Sequence, residues 1–410
     1  MGVLIILKLK KMRNIYIIIV SLFVVATLSA QEEIEYRRSS IYSICICHDA
    51  QKYTSEISDV FVSMPTPDKY NNHDLNIKLV SSMDKKEEEA DIAKFLESNN
   101  VARRLVGLWF NRDVETGECD IEKISERGLY DADYFDVQLS KQTIRGEAML
   151  KDAGEDLIQN TFVLVNDIRY VDKQQSAKVA SGILKGLGAI AGMFLGSSIS
   201  DITNTIGDAI EDIRGFRVIV TSYLYQLEWN DEVAGKFYND YYIAKGESNP
   251  ARVQAFNEDN NTFKLKYIGV KKVDSGEASY AGCFEPIDMI RKVCTRSIDK
   301  SVLALQRTYE QFQVKTPIYS VNPEITAKIG MKEGITDASR YEVLEKYLTE
   351  EGLTEYKRVG VIKPVPGKIW DNRYMATEEN TLGSDLTATS FTKVSGRAEF
   401  LPGMLIREIK

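Results

Sequence analysis

Any chemistry in this chain has to be built around very few residues. Histidine occurs twice, as His48 and His73, so a Ser-His-Asp hydrolase would have to recruit one of those two. The densest set of soft ligands is Cys45-Ile46-Cys47-His48. On a strand, Cys45 and Cys47 point to the same face and His48 sits near the edge, which could offer thiolate and imidazole to zinc. A closed zinc site takes four ligands and the sequence holds no second cluster, so the competing reading is thiols buried as small hydrophobes or oxidised. Asp131/Asp133 in GLYDADYFD and Glu155/Asp156 have the residue types for the acid and base of glycoside hydrolysis. With 60 acidic residues in 410, such pairs arise without function, and Asp131/Asp133 reads as a turn or helix cap. Trp109, Trp229 and Trp370 are too widely spaced for a sugar-stacking strip to be inferred. There is no HExxH, GxSxG, Walker A loop or GxGxxG following a strand. The expectation is therefore no catalytic residue, no metal and no cofactor, with a glycan or peptidoglycan hydrolase using carboxylates as the alternative.

The elements that would position such groups begin after residue 30. Lys8, Lys10, Lys11 and Arg13 precede an apolar run from Ile15 to Leu28, and Ser29 and Ala30 offer small residues for cleavage before Gln31. This is the pattern of an export signal, and it is short for a membrane span, which needs about 20 apolar residues. Without the leader 380 residues remain, carrying formal charge −12 because four basic residues leave with it. That length suggests two or three domains. The acidic balance offers no clustered basic surface, so no nucleic-acid partner is expected. Five cysteines, Cys45, Cys47, Cys119, Cys283 and Cys294, are too few to be the main stabiliser, and whether Cys283 and Cys294 pair is open.

Periodicity then sets the elements. RRSSIYSICICHD, DVFVSM (Asp59 to Met64) and LNIKLV (Leu75 to Val80) read as strands. Asp84 caps a helix with Glu87, Glu88 and Glu89 in its first turn and Ile92, Phe95 and Leu96 on one face, closed by Asn99 and Asn100. A second helix is expected over 145–158, then strands TFVLVNDIRYVDK, FRVIVTSYLYQLEW and NTFKLKYIGVKKV. The first two of those strands are expected to be neighbours, because sequential strands usually are.

The unusual segment lies between them. Gly188, Gly192 and Gly196 recur every four residues, with Gly182 and Gly186 at the same interval before them. On a helix this makes a ridge without side chains that lets another backbone approach closely. Each glycine costs about 1 kcal/mol against alanine, so packing must compensate. Self-association or membrane contact through Gly188, Gly192 and Gly196 is one reading; a hairpin closing on its own domain, or a loop, is the other. Ile202, Ile206, Ile210 and Ile213 follow as an amphipathic core stripe.

From Pro286 a longer helix carries Ile287, Ile290, Cys294, Ile298, Leu305 and Tyr309 at helical spacing. After Pro317 the chain turns to short strands with glycine-centred turns: EITAKIGMKEGI, RYEVLEKY, YKRVGVIKPV, GKIWDNRYM and SFTKVSGRAEFLPGMLIREIK. That pattern predicts a small barrel, with 377–390 as an exposed loop. The fold class is thus α+β and multi-domain: signal peptide 1–30, an α+β region 31–113, an α+β domain 114–285 holding the glycine-rich insertion 178–200, a connecting helix 286–316 and a β-barrel-like domain 317–410.

Ala327 to Glu345 (AKIGMKEGITDASRYEVLE) followed by GVIKPVPGKIWD resembles the small β-barrel domain of bacterial flagellar and envelope assembly factors, over about one fifth of the chain. LVGLWFNRD, ERGLYDAD and NTFVLVND resemble uncharacterised exported proteins of Bacteroidota. The resemblances imply a barrel fold and a periplasmic or outer-membrane-associated location, and carry no activity. The sequence therefore predicts an exported, non-enzymatic envelope scaffold or adaptor that binds other envelope proteins or itself. An oligomeric ring or pore-assembly subunit is a further alternative.

Overall fold

A computed structural model of the protein describes residues 39–48, 53–64, 70–71, 78–82, 89–128, 154–172, 213–280, 286–348, 354–374, 376, 386–396 and 399–409. The expected leader, His73, the Asp131/Asp133 pair, Cys283 and the segment with Gly188, Gly192 and Gly196 lie outside these residues. Among the described residues the chain is α+β, with eight helices and two six-stranded sheets, the C-terminal one barrel-like.

The first half of the body runs β1 (Ser39–Cys47), α1 (Thr54–Ser63), β2 (Tyr70–Asn71), β3 (Lys78–Ser82), α2 (Glu89–Ser98), α3 (Val101–Trp109), β4 (Glu118–Cys119) and α4 (Ile121–Gly128). A short helix α5 over 154–159 leads into β5 (Thr161–Asp172), and β6 (Ile213–Leu227) follows. The body then continues through α6 (Asp231–Lys236), a π-helical turn Phe237–Tyr241, β7 (Ile243–Ala244), α7 (Pro250–Glu258), β8 (Leu265–Tyr280) and α8 (Pro286–Thr308). Strand β1 is parallel to β2 and β3 on one side and to β5 on the other, while β6 lies antiparallel between β5 and β8.

Parallel pairing demands crossovers, and these cover the sheet. Helices α2 to α5 lie in the connection from β1 to β5 and build one face with Tyr42, Ile44, Ile46, Val163 and Val165. Helices α1 and α8 cover the other face, over Ile41, Cys45, Phe162, Leu164, Val218 and Val220. Burial on both sides explains why FVLV in β5 is an unbroken apolar run. Because β1 pairs with β5 from Ser40↔Thr161 to Ile46↔Asp167, the regions expected separately at 31–113 and 114–285 share one sheet. The 286–316 helix is likewise more than a connector. Its Ile290, Cys294, Ile298, Val302 and Leu305 are part of the core beneath β5 and β6.

Two local expectations are corrected. DVFVSM is helical within α1, where Ile57, Val60 and Phe61 are buried at i, i+3 and i+4. Packing against the sheet overrides the β-branched local preference. Ile213, expected at the end of a helical stripe, opens β6.

Where β6 and β8 pair, the register slips between Leu224 and Tyr225. Opposite Leu224 stands Gly269 with φ +158°, and Tyr309 from beyond α8 fills the space beside it. The backbone N–H of Val270 donates to the Tyr309 hydroxyl at 3.1 Å. A Cβ on residue 269 would stand 2.1 Å from that oxygen, so only glycine fits.

The second sheet comprises β9 (Thr316–Pro317), β10 (Ile325–Ala327), β11 (Tyr341–Leu348), β12 (Thr354–Pro364), β13 (Thr389–Gly396) and β14 (Leu405–Glu408). All its pairings are antiparallel in the order β10-β13-β12-β11-β14-β9. Its two ends approach through Tyr319 N–H donating to Thr326 O at 2.7 Å, which nearly closes the barrel. Ile318, Ile329, Val343, Ile362, Phe391 and Ile406 fill it, a core separate from those of the body. GKIWDNRYM is expected as a strand, but its described residues, 367–374, form a turn region instead: Trp370 N–H donates to Thr389 Oγ1 at 3.0 Å, and Arg373 pairs with Asp371 at 2.6 Å.

Candidate functional site

The first polar cluster lies where β1 ends against β5. Alternation along β1 sends Cys45 to the α1/α8 face, and the next even positions, Ile46 and His48, to the other. His48 Nε2 stands 2.6 Å from Asp167 Oδ1, and Arg169 Nε donates to Asp167 Oδ2 at 3.0 Å. The Asp167 carboxylate is only 4% exposed, against 13% for His48 and 35% for Arg169. Thr54 Oγ1 donates to His48 O at 2.7 Å and fixes the start of α1 against the end of β1. Asp167 thus orients an imidazole, and Arg169 balances the buried charge. The geometry ties strand ends together across 119 residues of sequence.

Asp167→Ala should leave the His48 imidazole and the Arg169 guanidinium without their acceptor. We expect a loss of about 2 kcal/mol in unfolding free energy, on the scale of a removed hydrogen bond to a charged group. Urea denaturation of both proteins measures it, and an unchanged midpoint would show that the cluster does not hold β1 to β5.

The zinc reading of Cys45-Ile46-Cys47-His48 meets this same alternation: Cys45 is buried on the face opposite to that of His48. Among the described residues no group of three or more His, Cys, Asp or Glu is placed to hold a metal. Glu155 serves the core, accepting from the Tyr238 hydroxyl at 2.8 Å. Trp109 and Trp229 are both buried in the body core and Trp370 lies in the barrel, so the three do not form a strip.

The second site is a small cleft of about 90 Å³ between α8 and the barrel. Helix α8 turns its sheet-facing stripe inward, and its neighbouring face presents Asp299, Val302, Leu303 and Gln306, at spacings of three and four that align along one side. Gln313, Val314 and Thr316 from the chain entering β9 line it next. The barrel adds Ile329, Tyr341 and Ile406.

Charged groups around the cleft are matched in pairs. Arg307 forks onto Glu408 at 3.0 and 2.8 Å and also donates to Gly334 O at 3.0 Å. Lys332 stands 3.9 Å from Asp299. Arg407 Nε donates to Glu342 at 2.6 Å. Glu333 accepts from Gly330 N–H at 2.7 Å and from the Asn372 amide at 2.8 Å. Burial, with Glu408 adding to it, holds the Tyr341 phenol well above the usual tyrosine range, so it is a neutral hydroxyl at any physiological pH.

His48 was legible from sequence as one of two histidines; its partner Asp167 was not, because parallel pairing of β1 with β5 is non-local. The cleft had only a weak signal, the second semi-polar face of α8, and its other walls come from three later segments. Among the described residues no helix is long and apolar enough to cross a membrane. No protein-family model matches the chain, and no curated protein matches it.

Proposed function

We propose that the protein is an exported, non-enzymatic scaffold or adaptor of the cell envelope, in which the α/β body carries the C-terminal barrel as a binding module. The observation that supports this reading is the way the barrel is mounted. Arg307 of α8 forks onto Glu408 of β14, Asp299 faces Lys332, and Arg296 donates to Tyr374 O at 3.0 and 2.8 Å. Exposed ion pairs stabilise by only about 0–1 kcal/mol each, yet three sets along one helix hold one orientation of barrel on body. An adaptor needs such fixed geometry between its surfaces; a hydrolase needs a reactive constellation instead. The pattern of residues 1–30 and the resemblance of Ala327–Glu345 to envelope assembly factors support the location. Self-association or membrane contact through Gly188, Gly192 and Gly196 belongs to the same reading.

Fractionation of cells producing the full chain, followed by size-exclusion light scattering, tests it. The wild type is expected in the envelope fraction as an oligomer, and Gly188→Leu/Gly192→Leu as a monomer. Recovery of the wild type in the cytoplasm overturns the envelope assignment, and identical monomers for both proteins overturn the association role.

A further inference from the structure

The turn between α7 and β8 reads Glu258-Asp259-Asn260-Asn261-Thr262. An asparagine followed two residues on by serine or threonine, with no proline between, is the acceptor pattern for an N-linked glycan, and it belongs on surface loops of exported chains. No other asparagine of this chain has that pattern. Glu258 sets a carboxylate two residues before the asparagine, which is the longer form of the same pattern.

The structure gives Asn260 no other work. Asp259 makes the side-chain bonds of the turn: it accepts from Thr262 N–H at 3.0 Å and from the Thr262 hydroxyl at 2.8 Å. The Tyr241 hydroxyl lies 3.2 Å from that of Thr262, and Phe263 is buried, so the segment is tied to the core just beyond. Asn260 is exposed, and its amide makes no hydrogen bond among the described residues. It lines an open groove of about 620 Å³ together with Asn261, Asn239 and Asp240 of the π-helical turn, and Ala251 and Ala255 of α7. Arg252 fixes the π-helical turn by donating to Asn239 O at 2.7 Å. Amide and carboxylate groups supply both donors and acceptors for sugar hydroxyls, and the two alanines leave a small apolar strip for ring carbons.

We propose that Asn260 carries an N-linked glycan whose first sugar lies along this groove. The donor is a sugar joined through a diphosphate to a lipid. Asn260 Nδ2 displaces the diphosphate at the anomeric carbon: the N–C bond forms, the C–O bond breaks with its electron pair leaving on the diphosphate, and one amide proton passes to a base. No oxidant or reductant takes part. The pattern requires a free hydroxyl at Thr262, and the folded turn spends that hydroxyl on Asp259. Transfer therefore precedes closure of the turn, as the chain emerges across a membrane. The inference rests on the reading of the protein as exported.

Peptide mapping of the full chain, purified from the cells that make it naturally, tests this. Trypsin cuts after Arg252 and Lys264 and releases residues 253–264, with Asn260 inside. That peptide is expected at a mass raised by one glycan. The shift should be lost in Asn260→Gln and Thr262→Ala and retained in Thr262→Ser, which keeps the hydroxyl. Asn260→Gln changes an exposed side chain that bonds nothing, so it should fold as the wild type does. An unshifted wild-type peptide, or a shift that survives Asn260→Gln, overturns the proposal. Fractionation of the same cells reads export separately: an unshifted peptide from an envelope-borne chain overturns this inference alone, and one from a cytoplasmic chain overturns both.

Discussion

Phe237→Ala should lower the unfolding free energy by about 4 kcal/mol, the range for deleting a fully buried aromatic ring. Phe237 is wholly buried at the start of the π-helical turn after α6. Its ring centre lies 4.3 Å from that of Phe110, 5.5 Å from Tyr238 and 5.7 Å from Trp229. It also packs edge-on to Phe256 and Phe263 at 6.5 and 6.4 Å. These rings come from α3, the π turn, α7 and the approach to β8, so one deletion opens a void where several connections meet. Aromatic pairs add about 0.5–1.5 kcal/mol each beyond their burial, and several are lost together. Urea denaturation followed by the fluorescence of Trp229 measures the loss. A change below about 1.5 kcal/mol would mean that the neighbours collapse into the space and that the cluster is not close-packed.

The second large effect is expected in the barrel. Gly330→Ala should destabilise that module by about 3 kcal/mol, the upper range for forcing atoms into a filled core. The backbone at Gly330 is extended, so conformation is no obstacle; space is. A Cβ there would stand 2.2 Å from the carbonyl oxygen of Trp370 and 2.6 Å from Asn372 Oδ1. That carbonyl already accepts from Met331 N–H at 2.9 Å, and Asn372 Oδ1 accepts from Lys332 N–H at 2.9 Å. Relief requires displacing the Trp370–Asn372 turn, so Trp370 fluorescence should report the change directly. Phe237 and Gly330 belong to cores with no residue in common, so their effects should add in the double variant. Strong non-additivity would show that body and barrel unfold as one unit through α8.

Legibility in the sequence followed the range of the interactions. Strands β5 and β6 were readable because each is a long β-branched and aromatic run, and their antiparallel adjacency follows from chain order. Helix α8 was readable from Ile290, Cys294, Ile298 and Leu305, a stripe that needs no knowledge of its partner. The barrel is readable from short strands and glycine turns, although Trp370 and Arg373, within an expected strand, are held by the Thr389 and Asp371 side chains instead. Failures came where distant contacts decide. Val60 and Phe61 are helical because the sheet offers them a surface, and β1 joins β5 because crossover helices bring Ser40 to Thr161 and Ile46 to Asp167 in register. The same limit hid Asp167 from His48 and three walls of the cleft from α8.

The arrangement of Gly269 and Tyr309 bears on what this chain can do to its own copies. Strand β8 closes the body sheet on one side and runs sixteen residues, Leu265 to Tyr280. An outermost strand of that length presents a row of backbone donors and acceptors on which another chain could zip, the usual start of sheet-to-sheet aggregation. Tyr309 occupies that row at Val270, taking its N–H at 3.1 Å, and Lys271 reaches over the tyrosine ring at 5.9 Å. Lys266 and Lys272 are exposed along the same strand. The result is a capped, charged margin in place of a continuous template. Removing the tyrosine side chain would restore the template, so the residue guards solubility as much as it fills a bulge. While Tyr309 stays in place, a second copy therefore finds no free backbone N–H at Val270 on which to extend the sheet.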